Sequence, residues 1–253
     1  MRKFHVLFSY EVQKLLVSPS TYFVAAIFLA TLALIYAFTL HEFVLSDQDF
    51  TFVHAFLRHC WIPVLLSIPL LTMRTFSEDY RMGIIQSLKT TSAGNFSIVL
   101  AKFLAAYLFY VSMWASSLLF IFSPSLFAPA VLQNGSFFSA CNLAGGYSYT
   151  LLAGLLFTAI GTFFSSLTEN QILSGTLSFT AIFAVFLNGP IFTSLTFSSE
   201  KFVNHALVRP LNIFNQMDNA CLGVLDTRVI TLYVVLSLLF LLFTKIALEK
   251  KFS

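Results

Sequence analysis

Five histidines, three cysteines and eleven acidic residues are the groups from which this 253-residue chain could build a reactive centre. Their spacing does not build one. His41-Glu42 opens a zinc-protease pattern, but Leu45 stands where the second histidine is required, so HExxH fails. There is no GxxxxGK[ST] phosphate loop and no GxSxG nucleophile elbow. Cys60, Cys141 and Cys221 are too widely spaced for a zinc pattern or a disulfide framework. A Cys141–Cys221 bridge in an oxidising compartment and three separate thiols both stay open. His41, His54 and His59 read as interfacial or solvated groups, the alternative being a metal or proton site. The sequence therefore predicts no cofactor and no enzyme.

The informative charges lie in two polar segments. Wound as a helix, residues 1–18 place Phe4, Leu7, Phe8 and Leu15 on one face and Arg2, Ser9 and Gln13 on the other. That pattern suits a helix lying in a membrane interface. Glu11 falls on the apolar face, where a carboxylate is costly unless paired or placed at a protein contact. The stretch 74–89, RTFSEDYRMGIIQSLK, clusters Glu78, Asp79 and Arg81 ahead of an apolar patch of Ile84, Ile85 and Leu88. It reads as a short helix with one face against a bundle, or as a solvated loop with an ion pair.

The elements that must position these charges follow from composition. The chain is 58% hydrophobic, only 10% charged, and has a mean hydropathy of +0.85. An ordinary soluble domain is about 25% charged. A soluble globular domain and a disordered protein are both excluded. The net charge of +3, with its basic residues dispersed, gives no reason to expect nucleic acid. Six apolar stretches, at about 21–40, 56–73, 98–122, 143–166, 172–192 and 229–248, are each long enough to cross a hydrocarbon core as a helix. The second carries Pro63 and Pro69, which predict a kink. Ser18-Pro19 should separate the first helix from the first span. The first apolar stretch starts too late and runs too long for a cleaved signal, so it is expected to remain as an anchor.

Six spans put both ends of the chain on one side. On that side fall Arg2, Lys3, Lys14, Arg74, Arg81, Lys89, Lys102, Lys245, Lys250 and Lys251, against Arg58, Lys201, Arg209 and Arg228 on the other. The positive-inside rule makes both termini cytoplasmic. The longest outer loop, 193–228, is too polar for the hydrocarbon core and should hold ordered structure. Lys102 and Lys245 lie near span ends and are expected to snorkel to the surface. With no buried ionisable group left, a carrier driven by its own ion site is disfavoured. Ala101/Ala105, Gly154/Thr158 and Gly161/Ser165 give small residues four apart, suited to close helix packing.

Several segments, in order along the chain, resemble the permease subunit of an ABC-2-type transporter, most of all the gliding-motility-associated ABC transporter permease family. They are Glu11 with Ser18-Pro19 and Tyr22, the run PLLTMR at 69–74 followed by Phe76 and Glu78, Gly83, IVLAKF at 98–103, SSLTENQ at 165–171 and GVLDTR at 223–228. The resemblance implies one all-α transmembrane permease domain over 1–253, multi-pass in a bacterial inner membrane. It would have six transmembrane helices, an N-terminal interfacial helix and a short cytoplasmic coupling helix. It implies an ABC ATPase subunit as partner, a homodimer or paired permease subunit around the pathway, and room for a periplasmic or envelope accessory protein. The ATPase-coupling interface would comprise Glu11, Glu78, Asp79, Arg81, Gly83, Gln86, Glu169 and Asn170. The sequence departs from the family pattern at Gln86, where an acidic residue is common, and at Thr91-Ser92-Ala93, where a Ser-Pro turn is usual. A non-transporting scaffold that passes ATPase motion to envelope machinery, and a secondary transporter or channel, remain the other readings.

Overall fold

A computed structural model of the chain describes residues 2–45, 51–84, 94–127, 139–195 and 212–251. Among the described residues every regular element is a helix. In chain order these are α1 (Arg2–Val17), α2 (Pro19–Leu45), α3 (Phe52–His59), α4 (Trp61–Thr72), α5 (Ser77–Arg81), α6 (Asn95–Phe127), α7 (Ala140–Leu167), α8 (Gln171–Leu195), α9 (Ile213–Cys221) and α10 (Thr227–Lys250). Four of them, α2, α6, α7 and α10, are long and apolar enough to cross a bilayer. The pair Phe52–His59 and Trp61–Arg81, which is α3 followed by α4 and α5, is bent by 40° and makes a fifth if it counts as one crossing. The architecture is all-helical and consistent with a multi-pass membrane protein. The remaining expected span, 172–192, falls on α8, whose described apolar stretch, Gln171–Leu187, is shorter than the other four.

Proline sets two of the boundaries. Ser18 separates α1 from α2, and Pro19 occupies the first turn of α2, where a missing N–H costs nothing. The expected kink in the second apolar stretch is present, but it falls at Cys60, ahead of both prolines. Pro63 explains the place: it cannot donate to the carbonyl of His59, and its ring crowds that carbonyl. The Cys60 N–H turns instead to the Leu57 carbonyl at 3.1 Å. At the other end, the Asp226 carboxylate caps α10 by accepting from the Arg228 N–H at 2.9 Å.

Helix α7 is the axis of the packing. In its most apolar window 67% of residues are buried, against 22% for α2 and 28% for α10. It touches α3, α4, α5, α6, α8, α9 and α10. Glycine permits this. A Cβ on Gly154 would lie 2.0 Å from the Tyr110 ring, and one on Gly161 would lie 2.2 Å from Thr72 Oγ1. A Cβ on Gly145 would sit 1.9 Å from the Ala220 carbonyl oxygen. Gly154 and Gly161, singled out by their spacing, therefore serve contacts within this chain. Around them pack aromatic rings: Trp114 sits edge-on to Phe28 and to Tyr147, and the Tyr149 and Tyr233 hydroxyls meet at 3.0 Å. The Tyr110 hydroxyl donates to the Thr150 carbonyl at 3.1 Å, so its polar end is satisfied in the core.

Candidate functional site

The apolar stripe of α1 does form, and it lies against α6. Phe4, Leu7, Phe8 and Leu15 are half-buried, while Ser9 and Gln13 are exposed. Glu11 lies on the same stripe and is only 5% exposed. Its partner is Lys102 of α6, whose Nζ donates to Glu11 Oε1 at 2.7 Å. The same Nζ donates to Asp79 Oδ2 of α5. Lys14, one turn beyond Glu11 on α1, donates to the other Asp79 oxygen. Two ammonium groups and two carboxylates from α1, α5 and α6 thus close into one neutral cluster. The Phe76 ring centroid lies 5.5 Å from Lys102 Nζ.

This corrects the expectation for Lys102. It does not snorkel; it is 1% exposed, because two carboxylates from elsewhere in the chain reach it. The argument against an ion-coupled carrier loses its premise that no ionisable group is buried. Glu11, the misfit on an apolar face, is what marks the cluster in the sequence. Lys245 is half-exposed and lies 3.7 Å from Glu249.

Helix α5 is fixed from its other side by α7. Ser165 Oγ accepts from the Phe76 and Ser77 N–H groups at 3.0 and 3.3 Å and donates to the Met73 carbonyl at 3.2 Å. The end of α5 is a left-handed turn at Gly83, with φ of 69°. Nothing lies within 4 Å of where its Cβ would be, so backbone conformation rather than space calls for glycine there.

Five of the eight candidate interface residues fall into two layers. Glu11 and Asp79 are inside the buried cluster. Arg81, Glu169 and Asn170 are exposed, and with Gln171 and Ile172 they line one open groove of about 460 Å³. Around this groove Met82, Leu167 and Ile172 leave apolar surface exposed. Glu78 is half-exposed and lines a separate cleft, and Gly83 ends α5. Gln86 lies outside the described residues, as do Ile85 and Leu88 of the apolar patch. Sequence reasoning missed Lys251. Its Nζ is 3.0 Å from Glu169 Oε1 and 3.8 Å from the Tyr80 ring centroid, so it joins α5 to the α7–α8 link.

At the opposite pole, α9 supplies ordered structure in the expected outer loop; residues 196–211 of that loop lie outside the described residues. His54 Nε2 lies 2.9 Å from Asp218 Oδ1, and His59 Nδ1 lies 2.9 Å from the Ala55 carbonyl. No group of three metal-ligating side chains occurs among the described residues. Cys60, Cys141 and Cys221 are free thiols. Burial, reinforced by Asp218, pushes the Cys221 thiol up to about 12. No protein-family model matches the sequence, and no curated protein matches it.

Proposed function

We propose that this chain is the membrane subunit of an ABC-2-type exporter, with six spans, both termini cytoplasmic and ATP hydrolysis left to a separate ABC ATPase. One juxtaposition carries this reading. Arg81 and the Glu169–Asn170 pair, far apart in sequence, line a single groove with an apolar rim. The helix that ends in Arg81 is anchored to α1 and α6 by buried charge and to α7 by Ser165. A partner pressing on the groove would move four elements together, as a rigid-body switch requires. In this reading Arg81, Met82, Glu169, Asn170 and Ile172 face the ATPase, while Glu11 and Asp79 hold the coupling segment to the spans. The excess of basic residues on the side of both termini supports placing that side in the cytoplasm; the membrane in this reading is a bacterial inner membrane. A second permease subunit completes the pathway.

The test is copurification of a candidate ABC ATPase from the same genome at matched membrane levels. Arg81→Glu and Glu169→Arg should each weaken association, since reversing a desolvated interfacial charge costs about 2–5 kcal/mol. Undiminished copurification and coupled hydrolysis would remove the groove from the interface. The buried Lys102 cluster favours a second reading, an ion-coupled carrier. Reconstitution without any ATPase separates the two, because only the carrier then moves substrate down an ion gradient.

A further inference from the structure

Beside the buried cluster lies a cleft of about 140 Å³, between the α1–α2 junction and the end of α4. A water's share of liquid volume is about 30 Å³, so the cleft is several waters in size. Its polar lining has an unusual property. Lys14, Lys102 and Glu11 are neutralised within the cluster. Arg74 and Glu78, four residues apart where α4 turns into α5, have no ion-pair partner among the described residues. Arg74 Nε is buried with no hydrogen-bond partner, and no ion pair joins Arg74 to Glu78 although both line the cleft. A buried donor left unmade is costly, so its position asks for an acceptor. The opening turn of α2 adds hydroxyls: Ser18 and Ser20 meet each other at 2.7 Å, and Thr21 lines the same wall. The far wall is apolar, made by Leu15, Val24, Leu70 and Leu71.

One guanidinium and one carboxylate that fail to meet, a row of hydroxyls and an apolar wall match a specific ligand chemistry. We infer that this cleft binds the headgroup of an aminophospholipid. The phosphate sits on Arg74 and the hydroxyls of the α1–α2 turn, the primary ammonium sits on Glu78, and an acyl chain runs along the Val24–Leu70 wall. Guanidinium suits a phosphate because its fork of N–H donors matches the oxygens. A primary ammonium has N–H donors to offer a carboxylate, and a trimethylammonium has none. An anionic headgroup without the ammonium would leave Glu78 facing like charge. The cleft lies where α2 and α6 begin, so its level along the bundle fits an interfacial headgroup. The proposal stands without the ATPase reading and needs only that the apolar helices sit in a bilayer.

Native mass spectrometry of the full chain, released from nanodiscs of matched phosphatidylethanolamine, phosphatidylcholine and phosphatidylglycerol, reads the retained lipid directly. Phosphatidylethanolamine should be retained over each of the others by about tenfold, the scale of one charge-assisted hydrogen bond. Arg74→Gln should lose retention of all three, and Arg74→Lys should keep part of it. Glu78→Gln should keep phosphate binding and lose the preference for ethanolamine. Thermal unfolding in detergent checks that each variant folds; if Arg74→Gln does not, Ser20→Ala with Thr21→Val replaces it, with weakened retention expected. Free O-phosphoethanolamine that displaces the lipid supports the headgroup assignment; a water-soluble ligand that binds equally tightly without any acyl chain overturns the lipid as its source. Equal retention of the three lipids, or retention unchanged by Arg74→Gln, overturns the proposal.

Discussion

At the pole carrying α1, four charged side chains from three helices meet around Lys102. At the pole carrying α9, helices meet through glycine contacts and aromatic rings, with the His54–Asp218 pair at a margin where Asp218 is 31% exposed. The two fastenings differ in how they fail. Close packing of Gly145 on the Ala220 carbonyl leaves no slack, so any added atom must displace backbone. A buried ion cluster is directional but barely repays the desolvation of its members, and removing one member strands the others. The buried charges at the α1 pole thus share one fate, whereas the packing contacts at the α9 pole fail one at a time.

The largest expected effect comes from stranding charge. Lys102→Met leaves Glu11 and Asp79 buried without their shared cation and should cost about 3–5 kcal/mol. Lys102→Met combined with Glu11→Leu, Asp79→Leu and Lys14→Met should recover most of that loss, because a packed apolar substitute is often neutral. Unfolding midpoints for the single and fourfold variants measure both outcomes; a fourfold variant as unstable as the single one would show that the cluster is a net source of stability. Next comes the core. Gly154→Ala should cost about 1–3 kcal/mol by overpacking against Tyr110, and Tyr110→Leu in the same chain should relieve part of it. A double-mutant cycle checks the coupling.

Gly83→Ala should cost about 1 kcal/mol through its left-handed backbone, with Gly83→Asn milder. At the α9 pole, Asp218→Asn should change stability by less than about 1 kcal/mol, since the pair is partly solvated. The smallest effect is chemical. At pH 8 the exposed Cys141 should react with a maleimide well before Cys221. With its thiol at about 12, Cys221 should speed up about tenfold for each pH unit through the range 8 to 11, because only the thiolate attacks. A plateau below pH 10 would contradict that environment.

Local pattern carried a good part of this architecture. Apolar length located the long helices to within a few residues, Ser18-Pro19 marked a real boundary, and the small-residue pairs on α7 marked real contacts. Glu11 announced a buried partner by sitting on an apolar face. The identity of that partner was not legible, because a lysine near a span end reads the same whether it snorkels or is met by two carboxylates. The kink was legible from Pro63 and Pro69 but its position was not: the proline acts on the carbonyl four residues earlier, so the break at Cys60 precedes it. The groove of Arg81 and Glu169 depends on which helix ends meet in space, and no periodicity encodes that. Lys251 escaped notice because its two partners belong to different connections.

The Glu11–Lys102 contact also imposes a schedule. The two residues are 91 positions apart. At roughly 5–20 residues per second of synthesis, Glu11 emerges several seconds before its counterion exists. Through that interval α1 carries an unpaired carboxylate on its apolar stripe and has no stable seat in a bilayer. Its docking must wait until α6 arrives, so α1 is placed only after the four described helices between them have been made.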